Sequence, residues 1–176
     1  MKIANKTAGA AATLLLVMVL GCGTDLPNAP SPPAPTVAFK AAAVSQASGL
    51  AVCNRQRYAT VSSRIGPNGG KLKVGGHEFE VPRGALSSPV MITMTAVADN
   101  VHSVRFAPEG LVFNAGSLPS LKLDYDGCRI PHGAKWRIAY VTESLQILDL
   151  LGSVDDPLNT DVDGHIKHFS RYAVAF

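Results

Sequence analysis

The sequence predicts an all-β fold, a single antiparallel β-sandwich, and three observations carry the prediction. Runs of four to eight residues alternate apolar with polar side chains, the period of a half-buried strand. Gly, Pro, Asn and Asp interrupt these runs every eight to twelve residues, as turns do in sandwiches and barrels. No stretch sustains a 3.6-residue apolar period between helix caps. Packing sheet on sheet is then the way to bury the apolar side chains.

The clearest part is Ile65 to Ala98. Leu72 and Val74 share one side of a first run, and Phe79 and Val81 share one side of the next. Met91, Ile92, Met94 and Val97 belong to a third run. Gly69-Gly70 and Gly75-Gly76 supply the positive φ angles of tight turns. Pro82 closes the second strand, because it has no N–H for a ladder. Further strands are expected at Ser103–Ala107, at Leu111–Phe113 and at Leu121–Tyr125, where Lys122 and Asp124 face outward. Lys135–Thr142 follows, with Trp136, Ile138 and Tyr140 on one face and Arg137 on the other. Leu145–Leu151 reads as a buried strand, and the last strand is expected to run unbroken from about His165 to Phe176.

The start of the chain reads as an export signal over residues 1–21. Lys2 and Lys6 precede an apolar run, Ala8 to Leu20, too short for the ~20 residues of a membrane span. Val19-Leu20-Gly21-Cys22 resembles the lipobox of bacterial lipoproteins, which implies that Cys22 is lipidated and becomes the mature N-terminus. Several acyl chains there would anchor the protein to a membrane stably. By the same resemblance, Gly23 after the Cys implies the outer membrane in a two-membrane cell. Residues 22–52, rich in Pro, Ala and Ser, read as a tether of extended polyproline II character. The remaining residues, 53–176, are enough for one domain.

A net charge of +3, with acidic and basic residues interspersed, excludes the basic stripe of a nucleic-acid-binding surface. Cys53 and Cys128 are the two cysteines beyond Cys22, and outside the cytoplasm an even count suggests a disulfide. Two free thiols and a metal site are the competing readings. Neither Cys has a His or Cys neighbour at metal-ligand spacing in the sequence.

Gly69-Gly70-Lys71-Leu72, Val81-Pro82-Arg83-Gly84-Ala85-Leu86 and Ile92-Thr93-Met94 resemble the core of the ZU-five domain. That family is the β-sandwich module of netrin receptors, ankyrins and zonula occludens scaffolds, found also in bacterial exported proteins. Phe106 to Phe113 resembles its following P-x-G-L-x-F segment, and Pro119 to Tyr125 the strand after that. The resemblance covers about Ile65 to Tyr125 and, more loosely, the rest of the domain. It implies a β-sandwich acting in protein–protein contacts, with no cofactor and no catalytic site by itself. A protein or glycan ligand is the expectation, bound through loops or a sheet edge.

One motif points further. Some ZU-five domains cut their own backbone between Phe and Ser in an HFS sequence near the domain's end, and His168-Phe169-Ser170 has that sequence. Ser170 Oγ would attack the Phe169 carbonyl in an N-to-O acyl shift, and water would hydrolyse the ester. That chemistry needs a base and a stabiliser for the oxyanion. His168 is the nearest base, with His165 and His132 as alternatives. The preferred reading is that Ile166, His168, Ser170 and Tyr172 share a core-directed face of the last strand. His168 and Ser170 are then a hydrogen-bonded pair at the rim, and Phe169 covers the other face.

Two other patterns are read as structural. Asn159-Thr160-Asp161-Val162-Asp163-Gly164 imitates half a calcium loop but lacks the bidentate Glu, and is expected to be a turn. His77, His102, His132, His165 and His168 have no H-x-H or HExxH spacing, so no metal site is expected.

Overall fold

Thirteen strands, every pair antiparallel, form the domain in a computed structural model that describes residues 49–176. The expected leader, Cys22 and most of the expected tether lie outside the described residues. In chain order the strands are β1 (Val52–Cys53), β2 (Ala59–Ile65), β3 (Gly70–Val74), β4 (His77–Val81) and β5 (Val90–Ala96). There follow β6 (Ser103–Ala107), β7 (Ser120–Asp124), β8 (Cys128–Arg129) and β9 (Arg137–Val141). The last four are β10 (Ile147–Leu150), β11 (Ser153–Asp156), β12 (Asp161–His165) and β13 (Arg171–Ala175). No helix occurs among the described residues. The fold class is therefore the expected one.

One sheet has six strands in the order β10-β9-β13-β6-β5-β2, and the other has five in the order β11-β12-β7-β4-β3. A two-stranded ribbon, β1 with β8, lies apart from both. The alternation decides which face each strand buries. Leu72 and Val74 of β3, Phe79 and Val81 of β4, and Leu121 and Leu123 of β7 turn inward from the five-stranded sheet. Ile92 and Met94 of β5, Phe106 of β6 and Tyr172 and Val174 of β13 join the same core from the other sheet. At its centre Phe79 lies 4.7 Å from Phe106 and 5.6 Å from Phe169 between ring centroids. Such aromatic pairs add about 0.5–1.5 kcal/mol each beyond the area they bury.

The β3–β4 hairpin shows why a glycine stands where it does. Gly69 has φ +77°, and a Cβ there would lie 2.3 Å from the Val81 carbonyl oxygen, so glycine alone fits this crossing of backbones.

β13 is buried on both faces. Beneath it a smaller cluster joins Ala173 and Ala175 to Ala139, Val141, Val101 and Leu50. Leu50 and Ala51, read from the sequence as the end of the tether, are thus buried in the domain. Arg171 is buried beside this cluster. Its guanidinium donates to Ser103 Oγ at 2.9 Å, to the Glu143 carbonyl at 2.8 Å and to the Asp99 carboxylate at 3.3 Å. A buried charge with this set of acceptors keeps the hydrogen bonds that water would otherwise supply.

Four expectations need correction. The last strand is broken: β12 ends at His165 in one sheet, β13 starts at Arg171 in the other, and Ile166–Ser170 crosses between them. Crossing between sheets resets the alternation, so Phe169 points into the core rather than covering the outer face. Asp161–His165 is a strand rather than a turn, because β11 and β7 supply ladder partners on both of its sides; the turn precedes it at residues 157–160. Leu111–Phe113 forms a single bridge, Val112 to His168, instead of a strand. Finally, the Leu145–Leu151 run yields only β10, an edge strand with an irregular register and an exposed Leu148.

Cys53 and Cys128 are bonded to each other, directly opposite in the β1–β8 ladder. The bond closes a loop spanning 75 positions.

Candidate functional site

Three places gather chemically capable side chains. The first is the corner that carries His168-Phe169-Ser170. The Phe169 carbonyl accepts a hydrogen bond from the Gly110 N–H at 3.1 Å, and the Ser170 carbonyl accepts from the Phe106 N–H at 3.0 Å. The His168 ring packs edge-on to Tyr140, centroids 4.9 Å apart, and the Tyr172 hydroxyl donates to the His168 carbonyl at 2.8 Å. No hydrogen bond joins Ser170 Oγ to an imidazole among the described residues, so the expected His168–Ser170 polar pair does not form. The reason is the corner, which ends the shared strand face on which that pair depended. It also brings His165 and His168 to the same groove of about 180 Å³, beside Asp149 and Lys167, where an unbroken strand would have separated them. His165 Nδ1 donates to the Pro119 carbonyl at 3.3 Å. His132 sits in an exposed turn that closes with a bond from the Ala134 N–H to the Pro131 carbonyl.

The second place is the outer face of the five-stranded sheet. On β3 and β4, Lys71 and Lys73 pair with Glu78, and Lys71 also reaches Glu80 at 3.1 Å. On β7, β12 and β11 the same face opens into a groove of about 360 Å³. Ser120, Lys122, Val154, Asp156, Asp161 and His165 are among its lining residues. Lys122 Nζ lies 3.5 Å from Asp161 Oδ2. Asp161 is only 7 % exposed, and its Oδ1 has no hydrogen-bond partner among the described residues. Burial pushes the Asp161 and Asp163 carboxyls above the usual carboxylate range, and Lys122 opposes the shift. Val154, by contrast, is 72 % exposed. Among the described residues no Phe, Tyr or Trp lines the groove.

This face was only half legible. The alternation of Lys122 and Asp124 with leucines placed β7 correctly. The 2-residue spacing of Asp161, Asp163 and His165 was the signal for the rest, once that segment is seen as a strand.

The third place is the disulfide and its surroundings. His102, far from either Cys in sequence, brings a ring nitrogen to within 4.8 Å of both sulfurs. His102 Nδ1 lies 3.0 Å from the Asp124 carbonyl oxygen, and its ring meets that of His77 edge-on at 5.9 Å. His77 is buried and fully bonded. Its Nδ1 accepts from the Asp124 N–H at 3.1 Å, which leaves Nε2 to donate to Gln56 Oε1, also at 3.1 Å. Burial, then the neighbouring His102, push its pKa down to about 4, so it is neutral near pH 7. Gln56 in turn donates to the Ser103 carbonyl at 2.9 Å.

No protein-family model and no curated protein matches this chain.

Proposed function

We propose that the chain is an exported lipoprotein, anchored to the cell envelope through Cys22, whose β-sandwich is a non-catalytic interaction module of ZU-five-like type. Its binding surface is the outer face of the five-stranded sheet. One observation carries this reading: the open groove over β7, β12 and β11 combines an exposed apolar residue, Val154, with charges of both signs. An apolar anchor ringed by Lys122, Asp156 and Asp163 suits a partner with complementary charges. β11 has a ladder neighbour on one side only, and its free edge is available to an extended segment. A groove lined by none of the described aromatic side chains lacks the stacking platform for sugar rings, which favours a protein over a glycan. The lipobox and the Pro-rich tether support an envelope location, at the outer membrane if the cell has one.

Site-specific photo-crosslinking in intact cells tests the surface. A probe at Val154 is expected to give an adduct, and one at Met91, exposed on the other sheet, to give none. Exchanging charges with Lys122→Glu and Asp163→Lys should cut the Val154 adduct about tenfold, as the loss of roughly 1.4 kcal/mol implies. Equal adducts from both positions, or an adduct indifferent to the exchange, would overturn the reading.

A second reading, self-cleavage between Phe169 and Ser170, is favoured by one contact. The Gly110 N–H already donates to the Phe169 carbonyl, where an oxyanion would form. The non-catalytic reading expects a single uncut mass for the wild type and for Ser170→Ala under denaturing conditions. Fragments ending at Phe169 and beginning at Ser170, seen in the wild type alone, would establish self-processing instead.

A further inference from the structure

We propose that Cys53, Cys128 and His102 form a redox-gated zinc site, closed to metal while the disulfide stands and opened by its reduction. The two sulfurs and a ring nitrogen of His102 all lie within 4.8 Å of one another. No other trio of His, Cys, Asp or Glu side chains among the described residues closes to that distance. Two thiolates and an imidazole are the donors of zinc sites, and they select against hard ions such as magnesium and calcium.

The hydrogen bond made by His102 suits a ligand role. A carbonyl oxygen only accepts, so the contact of Nδ1 with the Asp124 carbonyl places the proton on Nδ1. Nε2 then carries the lone pair. Metal-ligating histidines are held in this way, by a hydrogen bond from the other ring nitrogen to a carbonyl or carboxylate. The backbone of the same residue, Asp124, also donates to His77, so both rings are held from one point of β7. His77 has both nitrogens engaged and is a support for the His102 ring rather than a ligand.

The site sits at the surface of the domain. Cys53 is buried, but Cys128 and His102 are half-exposed, so a small reductant and an ion have access. The ladder places Cys53 opposite Cys128 through backbone pairing as well as through the S–S bond. With three protein ligands, the fourth tetrahedral position falls to water or an exogenous ligand.

The chemistry balances with a dithiol as reductant. The dithiol delivers two electrons and two protons, the S–S bond breaks, and the reductant leaves as its own disulfide. Zinc then displaces both thiol protons to solvent and forms two Zn–S bonds and one Zn–N bond. The metal replaces the covalent bond as the clasp between β1 and β8.

The test uses the full chain with Cys22→Ser, which removes the third thiol. Zinc is titrated against a chromophoric chelator before and after reduction with a dithiol that is then removed. The oxidised protein is expected to take up no zinc and the reduced protein one equivalent. His102→Ala should weaken uptake by at least about tenfold. Thermal unfolding is followed in parallel, and zinc should return the reduced wild type toward the melting temperature of the oxidised protein. Cobalt should give the absorption of a tetrahedral thiolate site, altered in His102→Ala. The proposal is overturned if the reduced wild type binds no zinc or binds it no better than His102→Ala. Uptake without recovery of the melting temperature, as by unfolded thiols, overturns it too.

Discussion

Phe169→Ala is expected to cost the domain about 3–5 kcal/mol, the usual effect of deleting a buried aromatic side chain. Phe169 is 1 % exposed. Its ring stacks on Phe106 at 4.8 Å and meets Phe113 at 5.2 Å and Phe79 at 5.6 Å. The rings come from β4, β6, the segment after β6 and the corner before β13, so one truncation loosens both sheets at once. Small domains are stable by roughly 5–15 kcal/mol, and the loss is a large share of that. Urea denaturation of wild type and variant measures it, with the m-value checking that unfolding remains two-state. Ser170→Ala, one residue along, is the control and should shift the midpoint little. A cost below about 1 kcal/mol for Phe169→Ala would mean that the neighbouring rings close over the space. The corner would then not be anchored by its aromatic side chain.

Removing the disulfide is expected to cost a comparable amount. The Cys53–Cys128 bond closes a loop spanning 75 positions, for which chain entropy implies a contribution on the order of 4 kcal/mol. The bond joins the start of the domain to β8, and without it the two-residue β1–β8 ladder and the bond from the Asn54 N–H to the Gly127 carbonyl hold this ribbon together. The double variant Cys53→Ser, Cys128→Ser should unfold at a lower urea concentration, in a buffer free of added metal. A loss under about 1 kcal/mol would show that the denatured chain is already compact around these residues, since the entropic effect acts on the unfolded state.

Local signals were enough for much of the fold. The β3–β4 hairpin is written in adjacent residues: Leu72, Val74, Phe79 and Val81 on one side, Lys71, Lys73, Glu78 and Glu80 on the other, and a Gly-Gly turn between. Its outward charges pair across the ladder in the structure. The Cys53–Cys128 bond was suggested by an even count of cysteines, and the structure places the two directly opposite. β12 was hidden for the opposite reason. Asp161-Val162-Asp163-Gly164-His165 has a single large apolar residue, and its acidic composition favours turns. It is a strand because β7 and β11 each offer a ladder edge, with Lys122 lying beside its carboxylates.

The candidate sites divide along the same line. That His168, Phe169 and Ser170 are consecutive is a fact of sequence, but their orientation depends on the crossing from one sheet to the other. Alternation alone put Phe169 outside; the crossing puts it at the centre of the core. His102 gave no sign of kinship with the cysteines, since neither lies near it in the chain. What brings them together is the packing of three distant segments, with the Asp124 carbonyl fixing the imidazole.

The fold class, the β3–β4 hairpin and the inward faces of β3, β4 and β7 followed from the sequence, because period and turn chemistry act over a few neighbouring residues. The tertiary structure alone decided which strands pair, where the chain changes sheets, and which side chains meet at the groove and beside the disulfide. Those outcomes depend on backbone partners and packing surfaces contributed by distant parts of the chain.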